Sequence, residues 1–303
     1  MRHNFTARQR LAYYLTKNYI HDTERILRVY LQSGNEHRVH SYELEAAALH
    51  DELEKEMNDI AASGVRMVFL GEKGFPSRLK NIPEGPIMLF VRSVSDLEEL
   101  FDGPGKVFSA VVGTRDVDEY GYAVTRDLVK QYASVNPDTV IVSGLAIGVD
   151  KIAHETALHN GLTTIAVLPT SVDTVYPNAH ARLGDFIARQ EGCALVSPFV
   201  PGTAPKPMNF RLRNRVIAAL CDNLTVTESK IKGGALVTAG YAADFNKPVY
   251  AVPGRIGDVR SEGCNYLINA GVAELLALSS ESEPEKMRQV ELPGRETYSA
   301  GTL

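Results

Sequence analysis

The sequence predicts an α/β fold, a Rossmann-like, doubly wound and mostly parallel sheet with a small N-terminal helical domain. Two observations carry this reading. From Gly64 onward short β-rich runs alternate with helix-length segments, and several runs, SAVVG and DTVIVSG among them, are apolar almost throughout. A half-buried strand alternates polar and apolar residues, whereas a continuously apolar one needs cover on both faces, which helices flanking a parallel sheet provide. A third observation directs attention within that fold. Glycines cluster directly after the apolar runs, at the carboxyl ends of strands, where doubly wound sheets bind their ligands.

Residues 1–62 carry helical signals. Thr6 with Gln9 fits a capping box, and Leu11, Tyr14 and Leu15 follow at helical spacing. A second helix is predicted over Asp22 to Leu31, ending before Ser33-Gly34, and a third over Tyr42 to Ala62. Nothing in this module has the pattern of an active site, and packing or partner docking is its expected role. Residues 63–278 form the sheet domain. Strands are predicted at Val65–Leu70, Ile87–Val91, Val107–Val112, Thr139–Val142, Thr163–Val167, Ala194–Val196, Asn223–Thr227 and Pro248–Ala251. The intervening helices are Tyr120–Ala133, Asp150–Asn160, Ala179–Glu191, Arg213–Leu220 and Ala235–Asn246. Residues 279–303 read as a polar tail, too short for another folded domain.

Composition narrows the function. A chain of 303 residues, 44% hydrophobic, buries a large core, while a net charge of −5 argues against a protein that coats nucleic acid with its whole surface. Any polyanion site is therefore a local groove. Cys193, Cys221 and Cys264 stand far apart and read as buried apolar residues, so neither a metal nor another cofactor is expected. The sequence contains no run of about 18 apolar residues and no segment of signal-peptide type, which sets the expectation of a cytoplasmic protein without membrane partners.

The strand-end loops hold the candidate binding residues. Gly113-Thr114-Arg115 combines a glycine that lets backbone approach a ligand, a hydroxyl and a guanidinium suited to phosphate. Alone, it reads equally as an ordinary tight turn. Ser143-Gly144-Leu-Ala-Ile-Gly148-Val-Asp150 opens a helix and matches neither the dinucleotide fingerprint nor the phosphate loop, yet it puts N–H groups at a helix N-terminus. His154 in that helix reads as a packed residue or, alternatively, a catalytic one. Lys206-Pro-Met-Asn209-Phe210-Arg211-Leu-Arg213-Asn-Arg215 places four cations within ten residues of an acidic protein, interleaved with an aromatic that offers a stacking face. The competing reading has Phe210 in the core and the arginines paired with carboxylates. Gly233-Gly234 forms a further backbone nest at a helix start. Gly254 and the segment Gly263 to Ile268 read as structural turns.

Taken together and in order, GTR at 113–115, SGLAIGVD at 143–150, Tyr176-Pro177-Asn178, Asn209-Phe210, Arg213-Asn214-Arg215, GGALVTA at 233–239, AVPG at 251–254 and GCNYLI at 263–268 resemble the DNA-processing protein A family, DprA or Smf. The resemblance spans residues 64 to 275. It implies a non-enzymatic, homodimeric protein that binds and protects incoming single-stranded DNA and helps load RecA recombinase during natural transformation. It further implies phosphate contacts at Gly113, Thr114, Arg115, Gly233 and Gly234, with Lys206 lining the groove, Phe210 meeting a base, and Arg213 and Arg215 matching the family's Arg-Asn-Arg. Gly144 and Asn209 complete the expected set. Departures are local: Thr114 replaces the common serine, Pro198 follows Ser197 where Glu is usual, and Ser229 follows Glu228 where Ala is usual. Two other functions suit the same fold, a small-nucleotide sensor and a LOG-type nucleotide hydrolase. The hydrolase motif needs a glutamate that the Gly233–Thr238 stretch does not carry.

Overall fold

The computed structural model describes residues 3–33 and 41–276. Four helices come first: α1 (Ala7–Tyr19), α2 (Thr23–Gln32), α3 (Ser41–Ala48) and α4 (His50–Ala62). The capping box is present, with Thr6 Oγ1 accepting from Gln9 N and Gln9 Oε1 accepting from Thr6 N. The single helix expected over 42–62 is two, because the backbone leaves the helical region at Leu49 (φ −95°, ψ 18°). These helices share one continuous apolar core with the sheet: Tyr13 packs edge-on against Phe90, and the Tyr30 hydroxyl donates to Leu70 O.

The sheet comprises β1 (Arg66–Phe69), β2 (Met88–Arg92), β3 (Val107–Val112), β4 (Thr139–Ser143), β5 (Thr163–Val167), β6 (Ala194–Ser197), β7 (Asn223–Val226), β8 (Val249–Ala251) and β9 (Glu274–Leu275). Their order across the sheet is β1-β2-β6-β5-β4-β3-β7-β8-β9. β1 and β2 add antiparallel to the β6 edge, and the other pairings are parallel. Between them lie α5 (Leu97–Asp102), α6 (Glu119–Val135), α7 (Val149–His159), α8 (Ala181–Arg189), α9 (Pro207–Leu220), α10 (Gly234–Asp244) and α11 (Glu262–Asn269). Both sheet faces are covered, as the apolar runs require. Val111 and Ile141 pack into one cluster with Leu128, Val129 and Ala153 from α6 and α7, while Ala110, Val112, Val140 and Val142 face the other way into the main core with α9.

Chain order reverses between β3 and β7. From β3 the chain builds outward through β4, β5 and β6, then returns to lay β7 on the other side of β3, with Val112 level with Val226. Loops leaving such neighbours diverge and open a crevice at the strands' carboxyl ends.

The structure departs further from the predicted elements at α9 and α11. α9 begins at Pro207, six residues before the expected start, because proline at the first helical position needs no N–H partner and already has a helical φ. The segment 262–269, expected as a turn, is α11, which packs Cys264 and Leu267 into the core. The polar tail expected from residue 279 lies outside the described residues.

Candidate nucleic-acid interface

Three segments distant in the chain converge on the crevice and line a cleft of about 350 Å³: Gly113-Thr114-Arg115 after β3, Phe210 and Arg213 on α9, and Lys230 with Gly233-Gly234 leading into α10. Glycine at 113 is dictated by packing, since a Cβ there would stand 2.5 Å from Val149 Cγ2 and 2.8 Å from Glu228 O. Thr114 ties the loops together, its N–H donating to Glu228 O (2.7 Å) and its carbonyl accepting from Val149 N (3.1 Å). That leaves the Arg115 side chain exposed at the rim, its guanidinium carbon 5.3 Å from the centre of the Phe210 ring. The opposite wall is the start of α10. Its N-cap, Gly233, has no side chain to cap the helix, and Gly233, Gly234 and Ala235 line the cleft, with open space around the Cβ position of Gly234.

The helical phase of α9 sorts the basic stretch. Phe210, Arg213, Asn214 and Ile217 line the cleft at i, i+3, i+4 and i+7. Arg211 and Arg215 face another hollow beside Ile20, Thr23 and Glu84. Arg215 pairs there with Glu84, which also accepts from Thr23 Oγ1, and its guanidinium lies 5.0 Å from the Tyr241 ring centre. Arg215 thus joins α9 to the N-terminal helices and stands apart from the cleft. Lys206 is exposed in a third hollow beside Lys17, His21 and Phe199. Desolvation and then the nearby Lys206 charge lower the His21 pKa. The four cations that are close in sequence therefore do not form one patch.

Asn209 and Arg213 lie inside the protein. The Asn209 side chain is buried, with Nδ2 donating to Pro169 O (3.0 Å) and Ala204 O (3.1 Å). Arg213, 5% exposed, forms an ion pair with the equally buried Asp150 at 3.7 Å. Burial pushes the Asp150 carboxyl up and the Arg213 guanidinium down, and each supplies the charge that counters the other's desolvation. The same carboxylate accepts from Gly144 N (3.2 Å) and Ala146 N (3.3 Å), so the loop expected to offer N–H groups to a phosphate already holds an internal anion. Gly144 is needed because Arg213 occupies the position of its missing side chain. His154 is buried, its Nδ1 2.7 Å from Thr164 Oγ1, and desolvation lowers its pKa to about 3, which keeps the ring neutral.

Three charged residues around the site had no role assigned to them from the sequence. Asp150 partners Arg213. Glu228, two residues past β7, is buried, and burial, reinforced by Asp118, raises its pKa to about 7. A side chain at Gly121 would collide with that carboxyl. Asp116 pairs with Lys230 (3.2 Å) and Arg260 (3.6 Å) at the rim, and the Lys230 hydrogen bond followed by the Arg260 charge holds its carboxyl below the usual range. The Pro207 helix-start signal would have revealed the α9 face; the partners of Asp150 and Asp116 leave no local trace in the sequence.

Beyond the rim, Phe210 meets Tyr176 edge-on (5.8 Å between ring centres), and the two border a small apolar hollow with Ile147 and Pro169. Among the described residues there is no cluster of three or more His, Cys, Asp or Glu that could hold a metal ion, and no helix long and apolar enough to cross a membrane.

Comparison with known proteins places this site in context. The family model for DNA recombination-mediator protein A matches residues 66–286. The chain is 39% identical over 197 residues to DNA processing protein DprA of Streptococcus pneumoniae, across 65% of this chain and 66% of that protein. It is 31% identical over 260 residues to DNA processing protein DprA of Bacillus subtilis, across 83% and 84% respectively. Its match to protein Smf of Escherichia coli spans 42% of that longer protein. The crystal structure of DprA from S. pneumoniae superposes with a TM-score of 0.76 at 30% identity, covering 90% of this chain and 95% of that one. DNA processing protein A from Helicobacter pylori, whose single-stranded DNA binding mode has been described, gives 0.59 at 30% identity over 69% and 90%. The chain belongs to the DNA recombination-mediator protein A family.

Proposed function

We propose that this chain binds single-stranded DNA in the switch-point cleft, shields it, and passes it to a RecA-type recombinase in DNA recombination and natural transformation. One observation carries the reading: an exposed guanidinium, an uncapped helix N-terminus and a half-buried aromatic meet in one cleft of an otherwise acidic protein. A phosphate needs the first two, and an unpaired base needs the third. The hollow beyond Phe210 and Tyr176 favours a strand over a lone nucleotide, since it offers a second apolar surface past the phosphate-binding groups. That the H. pylori relative binds single-stranded DNA supports a strand as the ligand.

The chain acts here as a binding protein, homodimeric and cytoplasmic, without catalysis. Asp150 and Arg213, the buried charges beneath the cleft, are engaged with each other, and a hydrolase would need a carboxylate directed at the glycosidic bond. Within this reading Gly113, Thr114, Arg115, Gly233 and Gly234 hold phosphate and Phe210 stacks on a base. Gly144, Asn209, Arg213 and Arg215 shape the site without touching the strand, and Lys206 meets the strand only where it leaves the cleft.

Fluorescence anisotropy of a labelled poly-dT oligonucleotide, with wild type and Arg115→Ala at two salt concentrations, tests the proposal. Wild-type binding that weakens with salt and is lost in the folded variant is the expected result. Stabilisation by mononucleotides with no oligonucleotide binding would replace this reading with the sensor, and release of free base from nucleotides would replace it with the hydrolase.

A further inference from the structure

Asp116 follows Arg115 directly and stands between cations from two other loops. Its Oδ2 lies 3.2 Å from Lys230 Nζ, in the loop between β7 and α10, and 3.6 Å from Arg260 Nη2, in the loop before α11. Its carbonyl also accepts from Arg260 Nε (3.2 Å). Asp116 and Lys230 both line the cleft. The three side chains are 61%, 47% and 38% exposed for Asp116, Lys230 and Arg260, so a ligand can reach all of them. Two cations drawn to one anionic oxygen are what a non-bridging phosphate oxygen requires.

We propose that Lys230 and Arg260 form a further phosphate subsite at the mouth of the cleft, and that Asp116 fills it in the unbound protein as an internal anion that a DNA phosphate displaces. The inference rests on the strand-binding reading above. Displacement is favourable because an exposed carboxylate binds its partners weakly, whereas each phosphate neutralised on a strand also releases counterions. Asp116 therefore sets affinity and selectivity together. A weak anion does not dislodge it, while a strand already gripped at Arg115 presents its next phosphate to the subsite at high local concentration.

The experiment is a salt series of poly-dT titrations with wild type, Asp116→Asn, Asp127→Asn and a triple variant combining Asp116→Asn with Lys230→Ala and Arg260→Ala, each checked for an unchanged melting temperature. Asp127→Asn removes the same charge from α6. Asp116→Asn should bind about two- to five-fold tighter than wild type, Asp127→Asn should match wild type, and the triple variant should lose the gain. The triple variant should also show a log K against log salt slope shallower than that of Asp116→Asn by about 0.7 for each contact removed. Equal or weaker binding by Asp116→Asn, or a gain that survives in the triple variant, would overturn the subsite while leaving strand binding intact. If the wild type binds no oligonucleotide, the strand-binding reading fails and the subsite fails with it.

Discussion

The guanidinium of Arg213 lies over Gly144, in the space any side chain there would fill, and 3.7 Å from the Asp150 carboxylate. Gly144 and Ala146 complete the arrangement by donating their N–H groups to the same carboxylate. A motif with the composition of a phosphate nest is thus a closed internal ion pair, and it stiffens the floor on which the cleft is built.

Gly144→Ala should be destabilising, because the new methyl group competes with Arg213 for one position. Overpacking alone costs about 1–3 kcal/mol, and displacing the guanidinium adds to it. Urea denaturation would show a lower midpoint, with the slope unchanged if both states keep their compactness.

Two arginines of the site should separate cleanly. Arg213→Ala leaves a buried carboxylate without its partner, a change that typically costs about 3–5 kcal/mol, and Asp150→Asn in the same chain should restore part of the loss. Arg115→Ala removes an exposed side chain and should move stability by no more than about 0.5 kcal/mol while abolishing strand binding. Thermal melts paired with anisotropy titrations give both quantities for each variant.

Phe210→Ala should weaken oligonucleotide binding by about 1–3 kcal/mol, the range for one base stacked on an aromatic ring. Phe210→Tyr preserves the ring and should retain most of the affinity. Unchanged affinity in Phe210→Ala would overturn the stacking role.

Glu228 makes stability depend on pH. Burial and then the Asp118 charge push its carboxyl from the ordinary 4.5 up to about 7 in the folded chain, so the folded state holds the proton more tightly. The stabilisation linked to this proton is fully present below about pH 4.5 and is lost as pH rises through about 7. Glu228→Gln, which carries no charge to bury, should therefore raise the melting temperature relative to wild type at pH 8, and the difference should shrink toward pH 5.

Much of the architecture was legible because it rests on local pattern. Nearly continuous apolar runs such as Val107–Val112 call for cover on both faces, so their presence implied a covered parallel sheet. The break at Leu49, the helix over 262–269 and the early start of α9 were not anticipated, since they follow from weaker local preferences that tertiary packing overrode.

The candidate site divides in the same way. The loops that line the cleft are legible in the sequence: glycine and arginine at 113–115, the aromatic at 210 and the paired glycines at 233–234 are the residues singled out there, and the topology brings them to one cleft. The partner of each charge was set by the fold. Helical phase turned Arg213 inward and Arg215 toward Glu84, and the fold delivered Asp150 to one and Lys230 and Arg260 to Asp116. The difference is one of range. Backbone preference and apolar periodicity act over a few residues and are written in sequence order, whereas an ion pair is set by which distant elements the finished core holds within a few ångströms.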